Sequence, residues 1–319
     1  ATGALGPWKL AGSFADDSSS YPGVVVTPSN KFLYALYTSF TVIEGFQISG
    51  PGFQLALLQA APFFPSASSG PFNTLVLHPT GKFLYVIESP ATIEEFSVDA
   101  GSGNLTHASA VTETADLRVA VIDPTGKFLY ATDLTGGRIY AFQVNQSNGS
   151  LSAVAGSPFA VPSNGQPSFD VVDKSGKFLY SSLISGGVAA FALDSLTGAL
   201  NDVPGSPFPT SSQPTCMAMD PVGRFIYVGN AGSGSIDGFS IDANSGTLSK
   251  AAGSPFGTGL SPSNIVVDPS GHFLYASIYS DSTIYGFSLD STSGSLSVLT
   301  GSPFPSVQNP TNLFVVGVQ

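Results

Sequence analysis

Six segments of the chain repeat one phrase: PSNKFLY (28–34), PTGKFLY (79–85), PTGKFLY (124–130), KSGKFLY (174–180), PVGRFIY (221–227) and PSGHFLY (269–275). Their tyrosines, Tyr34, Tyr85, Tyr130, Tyr180, Tyr227 and Tyr275, recur every 45 to 51 residues. A chain written at that period is an array in which each unit buries its apolar surface against copies of itself.

The last unit shows what each copy contains. SNIVVD (263–268) is a short β-branched run, and PSG after it makes a tight turn before the second strand, HFLYASI. TIYGFSLD (283–290) is a third strand, and STSG turns the chain into a fourth, SLSVLTGSPF (295–304). In the first unit Asn30 stands where the others have the turn glycine, and Asn tolerates left-handed φ better than other side chains. Phe and Tyr of KFLY project to one face and Leu to the other, so both faces of the sheet must be covered. Four strands per unit, a period near 48 and no helical periodicity predict an all-β fold, a β-propeller of four-stranded blades, in one domain over residues 1–319.

The ends of the chain read as parts of an unfinished unit. TGALGPWKLAGSF (2–14) matches a fourth strand, as in TGALNDVPGSPF (197–208), and NPTNLFVVGV (309–318) matches a first strand. Six complete blades are thus expected, with a seventh shared between the two ends and lacking its middle hairpin; a closed six-bladed ring is the alternative. Such a gap leaves unpaired backbone groups, which a longer native chain or a strand from another molecule would fill. Self-association, or another protein, at strands 2–14 and 309–318 is therefore the expected partnership.

Composition narrows the rest. Charged residues are 10% of the chain, and ten Lys and Arg face twenty-one Asp and Glu for a net charge of −11. With no basic cluster, nucleic acid is not an expected partner. No apolar run approaches the ~20 residues of a membrane helix. One cysteine, Cys216, allows no internal disulfide and reads as a small buried side chain. The three histidines, His78, His107 and His272, have no neighbouring His or Cys at ligand spacing, so neither a metal nor any other cofactor is expected. His78 stands where Asp123, Asp220 and Asp268 close the first strand of their units, a place for bonding turn backbone. NLT (104–106), NQS (145–147) and NGS (148–150) fit the N-glycosylation triplet.

The stretch DPTGKFLYATDLTGGRIYAFQV (123–144) resembles the lactonase family of seven-bladed propellers, which includes bacterial 6-phosphogluconolactonases and fungal carboxy-muconate cyclases. SGPFNTLVLHPTGKFLYVIES (69–89) and ADLRVAVIDPTGKFLYATDLTGGR (115–138) carry the more specific likeness. The scaffold half of each motif is kept, with His78, Pro79, Gly81, Asp133 and Arg138 in place. Where that family carries an Arg-His pair this chain has Phe72 and Asn73, and where it carries two histidines this chain has Asp116 and Arg118. The resemblance implies the fold; the lactone chemistry it implies would need a base and an oxyanion donor from other residues.

Starts of first strands and ends of second strands fall at one mouth of the propeller. That mouth is expected to gather Asn73, Glu88, Asp116, Arg118, Asp133, Arg138, Asp170, Asn230, Asn264 and Asn312. Glu88 as base, with Arg118 and Arg138 as an anion clamp, is the catalytic arrangement these residues permit; the rest are binding residues at the channel mouth. Low charge and a hydroxyl-rich surface point first to a non-enzymatic extracellular or cell-surface module acting through its faces and unfinished blade. A lactone or sugar-ester hydrolase using the mouth residues is the alternative.

Overall fold

The structure, a computed structural model, describes residues 23–37, 42–50, 54–64, 72–306, 310 and 313. Asn312, Trp8 and nearly all of the two terminal segments read as strands lie outside the described residues, and so does the unfinished blade.

Six antiparallel sheets follow one another along the described chain, each with four strands in sequence order, and in three of them a two-residue strand (Phe159–Ala160, Phe256–Gly257 and Phe304–Pro305) also pairs with the third strand. Blade 1 is Val24–Val26, Phe32–Tyr37, Val42–Ser49 and Gln54–Leu57; blade 2 is Phe72–Leu77, Phe83–Glu88, Thr92–Val98 and Leu105–Thr112. Blade 3 is Leu117–Ile122, Phe128–Asp133, Arg138–Val144 and Leu151–Ala153, and blade 4 is Pro167–Val172, Phe178–Leu183, Val188–Leu193 and Leu200–Asp202. Blade 5 is Pro214–Met219, Phe225–Asn230, Ser235–Ile241 and Leu248–Lys250, and blade 6 is Pro262–Val267, Phe273–Ile278, Thr283–Leu289 and Leu296–Val298. The chain divides into two compact units, one with blades 1 and 2 and most of blade 3, the other with residues 137–139 and blades 4 to 6.

Within each unit the repeated residues join neighbouring blades. The phrase tyrosine donates its hydroxyl to a glycine carbonyl in the third-to-fourth-strand turn of the next blade: Tyr34 to Gly103 (2.6 Å), Tyr85 to Gly149 (2.8 Å), Tyr180 to Gly246 and Tyr227 to Gly294 (both 3.0 Å). The phrase phenylalanine lies on the same glycine. A Cβ at Gly149 would stand 2.5 Å from the Phe83 ring, and its φ of +83° already favours glycine. Burial of these tyrosines pushes their phenols well above the usual range. Between them pack Leu84 and Val86 against Tyr34 in one interface and Ile226 and Val228 against Tyr180 in another.

The first hairpin turn of each blade is held by the residue that ends its inner strand. Asp123, Asp173, Asp220 and Asp268 each accept the backbone N–H of the phrase phenylalanine at 2.7–2.8 Å. The turn glycines take positive φ, and Asn30 takes 53° in their place. In blade 2 buried His78 does the same work by another route. Its Nδ1 accepts the Thr80 N–H (3.2 Å), which leaves the proton on Nε2 to donate to the Gly126 carbonyl at 3.0 Å; burial holds this imidazole below its usual pKa.

Outer strands end in the GSPF segments, whose serine hydroxyl accepts a third-strand N–H: Ala141 to Ser157, Ala190 to Ser206, Gly238 to Ser254 and Gly286 to Ser302. Blade 2 departs from this. Its outer strand runs eight residues, and where the other third strands have Ala or Gly it carries Glu95. The pairing shifts register at Ala108, so that His107 lies opposite Phe96 while Ser109 lies opposite Glu95. Without that extra residue His107 and Ser109 would project to one face. With it, His107 Nε2 sits 2.5 Å from Glu94 Oε2 on one side, and Ser109 donates to Glu95 on the other. Glu95 also accepts the Leu151 N–H of blade 3 at 2.9 Å.

Candidate functional site

One rule governs where the inner strands begin. The second residue of the strand donates from its side chain to the carbonyl that opens the next blade's inner strand. Asn73 donates to Leu117 O at 2.9 Å, Ser168 to Pro214 O at 3.4 Å and Thr215 to Pro262 O at 3.4 Å; Ser263 of blade 6 donates in the same way to the Pro310 carbonyl at 3.0 Å. Small hydroxyl and amide side chains suit this role because they reach one carbonyl and carry no charge.

Arg118 occupies the equivalent place in blade 3 and is different in kind. Its side chain turns to its own blade, where Nη2 donates to Asp116 Oδ2 at 3.2 Å and Nε lies 2.7 Å from Asp116 Oδ1. The Nε contact has ion-pair distance, but its N–H is not aimed at the oxygen. Residues i and i+2 of an extended chain share a side, which is why a two-residue separation brings the charges together. The arginine side chain stays 41% exposed, whereas that of Asp116 is 18% exposed.

Asp133 holds this corner in shape. Its Oδ1 accepts the N–H of Asp116 at 3.1 Å and that of Gly136 at 3.0 Å, and the Asp116 carbonyl accepts the Leu134 N–H at 3.1 Å. Gly136 must be glycine for this approach, since a Cβ there would stand 1.9 Å from Asp133 Oδ2. On the blade 2 side Thr74 donates to the Arg118 carbonyl at 2.9 Å, next to the Asn73 bond. Glu88 closes the second strand of blade 2, paired across the ladder with Phe72, and is buried. The structure therefore brings Asn73, Asp116, Arg118 and Asp133 together, with Glu88 at the same end of blade 2.

The remaining expected mouth residues fare differently. Asp170 is not at a mouth: it lies inside the inner strand of blade 4, opposite Ser181 and 1% exposed, at the place where other blades have Leu75, Met217 or Ile265. Neither of its oxygens has a hydrogen-bond donor, and burial pushes its carboxyl up to about 7. Ser181 is near enough to ease that effect in part without being aligned to bond it. Asn230 is also fully buried. Its amide is used on Val228, Ser235 and the carboxylate of Asp237, an acid that also holds Lys250 at 3.1 Å and the Ser211 N–H at 2.5 Å. Asn264 is half-buried in the inner strand of blade 6. Arg138 opens the third strand of blade 3, is exposed, and belongs to the second unit, so we assign it no part beside Arg118.

Among the described residues no group of three or more His, Cys, Asp or Glu could hold a metal ion. Cys216 is buried, which pushes its thiol up to about 12 and leaves it unreactive. No helix of the described residues is long and apolar enough to cross a membrane. Sequence reasoning missed two groupings. His107 with Glu94 depends on a bulge that nothing in the sequence announces, and the Asp237 network joins residues from 211 to 254.

Known structures share this architecture. A 6-phosphogluconolactonase candidate from Bacteroides uniformis is similar with a TM-score of 0.78 at 21% identity, over 91% of this chain and 87% of that one. The periplasmic gluconolactonase of Pseudomonas aeruginosa gives a TM-score of 0.78 at 19% identity, over 93% and 88%. The Cps50 β-propeller domain of Myceliophteria thermophila gives 0.65 at 15%, over 90% and 88%. At such identities these likenesses establish the fold alone. No curated protein sequence matches the chain. The family described as lactonase, 7-bladed beta-propeller, matches residues 112–315, more than half of the sequence and inclusive of Asp116, Arg118 and Asp133. The chain belongs to the lactonase family of seven-bladed β-propellers.

Proposed function

We propose that the protein hydrolyses lactones at the corner formed by blades 2 and 3. Family membership favours this reading over the non-enzymatic surface module that composition alone suggested. The observation that carries it is Arg118, the inner-strand residue that leaves the neutral clasp pattern and keeps a partly exposed cationic side chain at that end.

In this reading the Arg118 N–H groups that do not face Asp116 donate to the lactone carbonyl oxygen and hold the negative charge that develops there. Glu88 takes a proton from water as the water oxygen bonds to the carbonyl carbon. The ring C–O bond then breaks, the ring oxygen receives the proton, and a hydroxy acid is released. No imidazole takes part, since Phe72, Asn73, Asp116 and Arg118 stand where the family resemblance would put its Arg-His pair and two histidines. The test is proton release from an unsubstituted sugar lactone in weak buffer. Opening faster than the spontaneous rate, reduced at least ~100-fold by Glu88→Gln, is expected; a wild-type rate equal to background would overturn the proposal.

A further inference from the structure

We propose that Asp116 is a specificity residue that restricts this site to lactones carrying no ionised substituent, so that phosphorylated lactones are rejected. The inference rests on the lactone-hydrolase reading of the same corner and goes beyond it by naming the substrate class.

The first argument is the state of the cation. Two of the three nitrogens of the Arg118 guanidinium face the Asp116 carboxylate, at 2.7 and 3.2 Å. A guanidinium engaged in this way can still donate a hydrogen bond to a neutral carbonyl oxygen. It no longer offers the uncompensated positive charge that holds a phosphate group.

The second argument is that swinging Asp116 aside to release it is costly. The backbone of Asp116 is bonded on both sides, through its N–H to Asp133 and through its carbonyl to the Leu134 N–H. Its carboxylate is the more buried member of the pair. Displacing it would cost the ion pair and leave a partly desolvated carboxylate without its partner.

The third argument is the sign of the surrounding charge. Glu88, Asp116 and Asp133 lie at this end of blades 2 and 3, and Glu113 follows the outer strand of blade 2. Among the described residues of this unit the other Lys and Arg are Lys31, Lys82 and Lys127. All three sit in first hairpin turns, at the opposite end of the strands. Within this unit an incoming phosphate dianion meets acids on several sides, and the one cation at this end is already paired with Asp116.

Two lactones that differ only by a 6-phosphate separate the alternatives, alongside binding of inorganic phosphate followed by ³¹P NMR. For the wild type, kcat/KM for the unphosphorylated lactone should exceed that for the phosphorylated one by tenfold or more, with no phosphate binding. Asp116→Asn keeps the shape of the side chain and its backbone bonds; it should raise the phosphorylated-to-unphosphorylated ratio at least tenfold and create phosphate binding that Arg118→Ala abolishes. Asp116→Ser is a second variant with the same expected direction should the amide rebuild the fork to Arg118. Preference of the wild type for the phosphorylated lactone, or a ratio and phosphate affinity unmoved in both variants, would overturn the inference. If neither lactone is opened, the hydrolase reading fails, and the phosphate measurement alone still decides whether Asp116 silences Arg118.

Discussion

Asp170 makes the stability of the protein depend on pH in a direction opposite to that of most aspartates. An ordinary aspartate is ionised in both folded and unfolded chains at neutral pH. This one, buried and without a hydrogen-bond donor, keeps its proton in the folded state up to about pH 7, against a reference value of 3.8. The folded state therefore binds the extra proton. Its contribution is fully present below pH 3.8, is lost progressively as pH rises, and is gone above about 7. The gap is about three pH units, and at ~1.4 kcal/mol per unit the whole swing is about 4 kcal/mol. Roughly 2 kcal/mol of it falls between pH 5.5 and 8.5. Asp170→Asn removes the titration while keeping the shape. Its buried amide adds an offset that does not vary with pH, so the slope carries the information. Urea melts of both proteins at pH 5.5, 7.0 and 8.5 should show Asp170→Asn gaining about 2 kcal/mol relative to the wild type across that range. Stability curves that run parallel would refute the reasoning.

The repeat's contacts give further predictions. Gly149→Ala should destabilise by about 2–3 kcal/mol, because it combines a positive φ with a methyl driven into the Phe83 ring; a chemical denaturation curve within 0.5 kcal/mol of the wild type would contradict this. Tyr85→Phe removes a 2.8 Å bond and leaves the Gly149 carbonyl without that donor, for a loss of about 1 kcal/mol in the same assay. Asp123→Ala takes the carboxylate from the Thr125 and Phe128 N–H groups and should lower stability by about 2 kcal/mol. Asp123→Asn, which keeps an acceptor oxygen, should recover part of it.

Much of the fold could be read from the chain because its determinants are local and repeated. The phrase residues Phe and Tyr, the turn glycines and the Asp that follows four of the six inner strands occupy fixed offsets, and the glycines and aspartates were found in the turn roles their chemistry suggests. His78 was likewise legible as a turn-bonding substitute for Asp. Asp170 was not. From the string PSFDVVD an aspartate three residues into a strand looks like a rim residue, and only its pairing with Ser181 shows that it fills a place given in the other blades to Val, Leu, Ala, Met or Ile. The Ala108 bulge is invisible for a related reason: register is a property of two strands, and one strand's sequence does not record it. Of the site, Asp116, Arg118 and Asp133 were all named from their positions. Their mutual bonds follow from the alternation of side chains along a strand, a signal that was present and could have been used.

The most direct test of the central claim is the rate of lactone opening by Arg118→Ala against wild type, with denaturation midpoints measured to confirm that both are folded. If the corner of blades 2 and 3 is the site, loss of the guanidinium should lower kcat/KM by roughly 100-fold or more in a protein whose midpoint shows it still folded under the assay conditions. Full activity in a folded Arg118→Ala protein would place the chemistry elsewhere and contradict the account.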